Sequence, residues 1–93
     1  MAQYKLWGVY VTQLEQWTRE TGALMEAAVD NEEHDLEIEY FGTDDPRVKL
    51  YGWGNFPAFV AVKYDQPFRA IMGKHDWKDY DAWLKGLGWK IDQ

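Results

Sequence analysis

Tyr51-Gly52-Trp53-Gly54-Asn55-Phe56-Pro57 runs directly into the apolar stretch Ala58-Phe59-Val60-Ala61-Val62. Two glycines loosen the backbone, an aromatic residue precedes a proline, and a strand with buried character begins on the proline's far side. Proline is tolerated at the first position of a strand because no ladder donor is needed there. An X–Pro bond prefers trans by only about 0.5–1 kcal/mol, so a cis bond can be held at such a point. What this segment does depends on the elements placed beside it.

Upstream, Tyr4 to Val11 is nearly continuously apolar after Lys5 and rich in aromatic and β-branched residues. That pattern predicts a strand covered on both faces. Thr12-Gln13-Leu14-Glu15 reads as a capping box, with Thr12 as N-cap and Glu15 reaching back. The helix it opens carries Leu14, Trp17, Thr21, Leu24, Met25 and Ala28 on one stripe, with Gly22 in its middle allowing close packing. An acidic connection, Asp30 to Asp35, leads to Leu36-Glu37-Ile38-Glu39-Tyr40-Phe41, whose alternation predicts a strand with one solvated face near a sheet edge. Asp45 and Pro46 then start a short helix that Gly52 stops.

Downstream of Pro57 the strand extends to about Tyr64. Asp65-Gln66-Pro67 predicts a tight turn, and Phe68-Arg69-Ala70-Ile71-Met72 an antiparallel return closed by Gly73. Asp76 caps a last helix whose stripe is Trp77, Tyr80, Trp83, Leu84 and Leu87, stopped by Gly86 and Gly88. Trp89 and Ile91 are placed to tuck the tail down. The order is strand–helix–strand–short helix–strand–strand–helix. A parallel pair joined by a right-handed crossover, a hairpin and a covering helix give an α/β fold, a four-stranded mixed sheet (βαβαββα) with helices on both faces.

Ninety-three residues supply one core, so a single domain spanning 1–93 is expected. No apolar run approaches the roughly 20 residues that span a bilayer, and the first residues lack the pattern of a signal peptide, which makes the cytoplasm the expected location and a membrane partner unexpected. There is no cysteine. Disulfides, thiolate nucleophiles and thiolate metal sites are thereby excluded. The net charge of −6, with Lys and Arg scattered singly, argues against direct nucleic-acid binding. No cofactor or metal is expected, and the protein should be a monomer or a weak dimer.

The element order, with Asp45-Pro46, Tyr51-Gly52, Pro57 after an aromatic residue, strand Ala58–Val62 and a second strand ending at Gly73, resembles the thioredoxin fold in its minimal, glutaredoxin-sized form. The resemblance implies that Pro57 is cis and sits against Val11-Thr12-Gln13-Leu14. Where the family's oxidoreductases carry Cys-x-x-Cys or a single Cys, this chain has Val11-Thr12-Gln13-Leu14-Glu15. Neither a threonine hydroxyl nor a glutamine replaces a thiolate in disulfide exchange, so dithiol chemistry is excluded and the chain is expected not to be an enzyme.

The first candidate site is the surface of Thr12, Gln13, Trp53, Phe56 and Pro57. In the family, the residue before the cis proline offers its main-chain N–H and C=O to an extended substrate segment, and Phe56 holds that place here. Such pairing needs no cysteine, so the expected partner is a protein or peptide. The plainer account is that Thr12 only caps a helix while Trp53 and Phe56 only cover the core. Glu32, Glu33, His34 and Asp35 are oxygen-rich but lack the spacing of a calcium loop, and read as a solvated acidic turn. His75-Asp76 has the makings of a base and its orienter, yet the chain contains no serine and no other nucleophile is in evidence. Trp77, Tyr80, Trp83 and Trp89 have rings fit for stacking on sugars or bases, but Trp77, Tyr80 and Leu84 at helical spacing read as core, with Trp83 and Trp89 partly exposed.

The expected function is therefore a non-catalytic, thioredoxin-like interaction module working through the proline loop. A second reading is an acidic decoy that occupies the basic surface of a nucleic-acid-binding protein, carried by Glu26, Asp30, Glu32, Glu33, Asp35, Glu37 and Glu39. A third is a degenerate binder of a glutathione-like ligand in the same groove.

Overall fold

The computed structural model describes residues 4–29 and 36–89. Strand β1 (Tyr4–Tyr10) leads through a 3-10 turn, Thr12–Leu14, into helix α1 (Glu15–Val29); strand β2 (Leu36–Gly42), helix α2 (Pro46–Tyr51), strands β3 (Ala58–Lys63) and β4 (Gln66–Met72) and helix α3 (Trp77–Gly86) follow. The sheet order is β2-β1-β3-β4. β1 pairs parallel with β2, Tyr4 opposite Leu36, and antiparallel with β3, Val9 opposite Ala58. β3 and β4 form an antiparallel hairpin. β1 and β3 are therefore the central strands and β2 and β4 the edges, which matches the near-continuous burial of the first two.

Each face of the sheet has its own core. On one side Leu6, Phe59 and Ala61 meet Met25 and Val29 of α1 and Tyr80 and Leu84 of α3. On the other, Trp7, Val9, Phe41, Ala58, Val60 and Val62 lie beneath Val48, Trp53 and Phe56. Tyr40 fills the space between α1 and the sheet by lying against two glycines. A Cβ at Gly8 would come within 2.7 Å of its ring, and one at Gly22 would overlap its hydroxyl. The close packing read from Gly22 is thus contact with a strand's tyrosine. Trp89 stacks on Tyr4 with centroids 4.4 Å apart, which ties the chain down as expected of it; Ile91 lies outside the described residues.

Four expectations are corrected. No capping box forms at Thr12: its hydroxyl makes no cap bond, Val11 bounds the turn, and Glu15 reaches forward to Arg19 (3.0 Å). Because that turn precedes the α-helix, the buried stripe of α1 is Thr18, Thr21, Gly22, Met25 and Val29, while Leu24 is 56% exposed. Thr18 is accommodated by donating to the Leu14 carbonyl at 2.8 Å. The hairpin turn is Tyr64-Asp65, both with left-handed φ, so β4 begins at Gln66 rather than at Phe68. In α3, Tyr80 and Leu84 are the buried pair and Trp77, one turn earlier, falls past them and is 39% exposed. Trp83 is half-buried, as is Trp89.

Candidate functional site

The sequence signals around Pro57 are realised locally. Asp45 caps α2, its carboxylate accepting from the Arg47 N–H at 2.9 Å, with Pro46 at the first helical position. Gly52 ends the helix in the left-handed conformation (φ 72°) that a side chain would oppose. The chain then returns over the sheet to Pro57, which is buried, and the Phe56–Pro57 peptide bond is cis. The Pro57 carbonyl accepts from Gly73 N–H at 2.8 Å, which closes β3 onto the end of β4.

Register decides what meets this loop. With Val9 opposite Ala58, Tyr10 and Val11 leave β1 at the end of the sheet where Pro57 enters β3. Thr12 and Gln13, both exposed, form the turn at that same end, and Gly73 to Asp76 also leave β4 there. Phe56 is half-buried over the second core, and among the described residues its main-chain N–H and C=O have no main-chain partner. Thr12, Gln13, Phe56 and Pro57 therefore share one rim. Trp53 is placed differently. It packs into an aromatic cluster on the α2 face, with centroids 6.0 Å from Trp7, 6.4 Å from Phe41 and 5.3 Å from Tyr51.

The α2 face is held by one cation. Arg47 donates to Asp45 (2.9 Å) and to Glu39 (2.8 and 3.2 Å), and its guanidinium lies 3.8 Å over the Phe41 ring. Hydrogen bonds from Arg47 hold both carboxyls below their ordinary range, and those two carboxylates raise the guanidinium in turn. On the opposite face, burial pushes the Tyr80 hydroxyl up; it donates to Gly73 C=O at 2.9 Å and accepts from His75 N–H at 3.1 Å.

The other candidates resolve plainly. His75 faces Met72 C=O through Nε2 (2.7 Å) and Asp79 through Nδ1 (3.5 Å), not Asp76, so it fastens the turn before α3 and forms no dyad with Asp76. Glu37 lies 3.8 Å from Lys5, and Glu39 is engaged by Arg47, so two carboxylates of the acidic region are already matched by cations. Asp30 to Asp35, with Glu32, Glu33 and His34, lie outside the described residues. Among the described residues no His, Asp or Glu cluster is arranged to hold a metal, and no helix is long and apolar enough to cross a membrane.

Two concavities were not foreseen. One, of about 300 Å³, lies between α1 and α3, with Trp17, Thr21, Leu24, Lys74 and Trp77 around it. The other, of about 300 Å³, opens between the end of α2 and β4, over Val60, bordered by Tyr51, Trp53, Phe68, Arg69 and Ala70. The only sequence signal for the second was the brevity of α2. A six-residue helix cannot roof a four-stranded sheet.

No family model matches the chain, and no curated protein sequence matches it. Solved structures do. Trxlp from Edwardsiella tarda EIB202 superposes with a TM-score of 0.63 at 14% identity, covering 89% of this chain and 82% of that one. The germline-specific thioredoxin Deadhead of Drosophila melanogaster superposes with a TM-score of 0.62 at 15% identity, covering 89% and 80%. The fold is thioredoxin-like, and it contains no cysteine.

Proposed function

We propose that this chain is a non-catalytic interaction module that engages an extended segment of a protein partner at the rim formed by Thr12, Gln13, Phe56 and Pro57. The observation that carries this reading is the unpaired main chain of Phe56, presented beside an exposed turn at the place where thioredoxin-like oxidoreductases keep their cysteines. An unpaired N–H and C=O on one residue is a ready element of strand-like pairing, and it needs no thiol. Half-buried Phe56 supplies apolar contact next to it, as anchors in interfaces commonly do.

Trp53 contributes to this reading by holding the loop, since its ring is built into the aromatic cluster. The informative substitutions are accordingly the exposed ones. Thr12→Arg and Gln13→Lys leave the core untouched, whereas Phe56→Asp alters the rim and part of its support. Proteins captured by the wild type should be lost with Thr12→Arg/Gln13→Lys while the melting temperature stays within a few degrees. An unchanged set of captured proteins with both Thr12→Arg/Gln13→Lys and Phe56→Asp counts against the site.

A further inference from the structure

The edge of the sheet at β4 carries features that the proline rim does not use. Gly73 N–H bonds to Pro57 C=O, and Ile71 lies opposite Phe59, so the main-chain groups of Ile71 and Arg69 face β3. Those of Ala70 and Met72 consequently point off the edge. The shift between Ala61 and Val62 leaves Phe68 without a partner on β3, and Arg69 Nη1 donates to its carbonyl at 2.9 Å. His75 Nε2 occupies the Met72 carbonyl. Among the described residues, what stays open on this edge is one ladder segment: Ala70 N–H, Ala70 C=O and Met72 N–H.

The side chains around this segment are selective. β4, Gln66-Pro67-Phe68-Arg69-Ala70-Ile71-Met72, has no acidic residue in a chain with 16 acidic and 10 basic ones. Among the described residues no carboxylate lies within ion-pair distance of Arg69, although Arg19, Arg47, Lys5 and Lys85 each have one. Ala70, opposite Val60, belongs to the face with the aromatic cleft, whereas Arg69 and Ile71, opposite Ala61 and Phe59, alternate to the other face, Arg69 also bordering the cleft where it opens at the strand edge.

We propose that β4 takes an extended, carboxylate-bearing segment of a partner protein as a fifth strand. The residue opposite Ala70 exchanges two hydrogen bonds with it and directs an apolar or aromatic side chain over the cleft between Tyr51 and Trp53. The residues on either side, on the opposite face, bring a carboxylate to Arg69. Charge complementarity is what selects this occupant. A second copy of β4 would bring a second arginine and no carboxylate to the same edge. The site is separate from the Phe56 rim, so either can fail alone.

The probe is a fluorescein-labelled nonapeptide, Thr-Thr-Val-Glu-Trp-Glu-Val-Thr-Thr, read by anisotropy, with its Lys-for-Glu counterpart as control. Wild type and Phe56→Asp should bind it alike, Arg69→Glu should weaken it about tenfold or more, and Ala70→Pro, which removes the outward N–H, should abolish binding. Amide shifts should centre on Ala70 and Met72, a readout that carries the test even where Ala70→Pro fails to fold. Absence of binding to the wild type overturns the proposal, as does equal binding of the Lys peptide or of Arg69→Glu. Shifts centred on Gln13 and Phe56 overturn it too, and so does self-association through β4 that excludes the peptide.

Discussion

The two faces of one sheet solve the same burial problem with unequal means. The α1/α3 face is closed by two helices, and its aromatic polar atom is satisfied: the Tyr80 hydroxyl bridges Gly73 and His75. The α2 face has a six-residue helix, from which Leu50 stands 72% exposed, and is roofed by Val48, Trp53, Phe56 and a stacked arginine. There the buried Trp7 indole N–H finds no acceptor among the described residues. Such an orphan costs about 1–3 kcal/mol. The comparison teaches that the α1/α3 face should carry more of the stability, while the other, thinner and more aromatic, leaves its cleft open beside the sheet edge.

Truncation should expose that asymmetry most strongly. Phe59→Ala empties a fully buried site where Phe59 meets Tyr80 edge-on at 5.5 Å, and about 3–5 kcal/mol should be lost. Trp53→Ala removes a larger ring from a half-buried position beside an existing cleft, so about half that loss is expected. Urea unfolding of both variants checks the order. Equal losses would mean that α2 closes its face as fully as the two helices close theirs.

A smaller effect tests how α1 seats against the sheet. Gly22→Ala gains up to about 1 kcal/mol in helix propensity, yet its methyl overlaps Tyr40, which Gly8 blocks from retreating. Overpacking costs about 1–3 kcal/mol, so the net change should be destabilising. Tyr40→Phe should recover part of it in the double variant, since the overlap is with the hydroxyl. A stabilised Gly22→Ala would show that α1 is free to shift on the sheet.

Legibility followed the same divide between local and assembled features. Asp45, Pro46 and Gly52 act within one turn of chain, and each does what its chemistry requires. The covered position of β1 and the edge position of β2 followed from apolar continuity in one and alternation in the other. The phase of α1 was not legible, because Thr12–Leu14 winds as a 3-10 turn and rotates the stripe onto Thr18 and Val29. Tyr64-Asp65 carries no turn signal, since tyrosine seldom adopts left-handed φ. The rim residues Thr12, Gln13, Phe56 and Pro57 were proposed from their position in a recurring fold. Arg69 and Ala70 were not, because an edge exists only once the sheet is assembled.

The smallest effect concerns the charge that holds the thin face. Arg47 lowers the carboxyls of Asp45 and Glu39 from ordinary values of 3.8 and 4.5. A carboxyl held lower in the fold than in the unfolded chain stabilises above its ordinary value and ceases to do so as pH falls through the folded one. Wild-type stability should therefore decline below about pH 4.5, with Asp45 contributing more because its side chain is 20% exposed and that of Glu39, 47%, is better screened. Arg47→Met keeps an apolar stem over Trp7 and Phe41 but removes both partners. It should cost about 1 kcal/mol at neutral pH and flatten the decline between pH 5 and 3 in a series of thermal melts. On the α1 side Arg19 stacks on Tyr40 but, among the described residues, pairs only with Glu15, at side-chain exposures of 47% and 39%, so the same series on Phe59→Ala should fall in parallel with the wild type. Parallel decline in Arg47→Met as well would place the acid sensitivity elsewhere than on the α2 face.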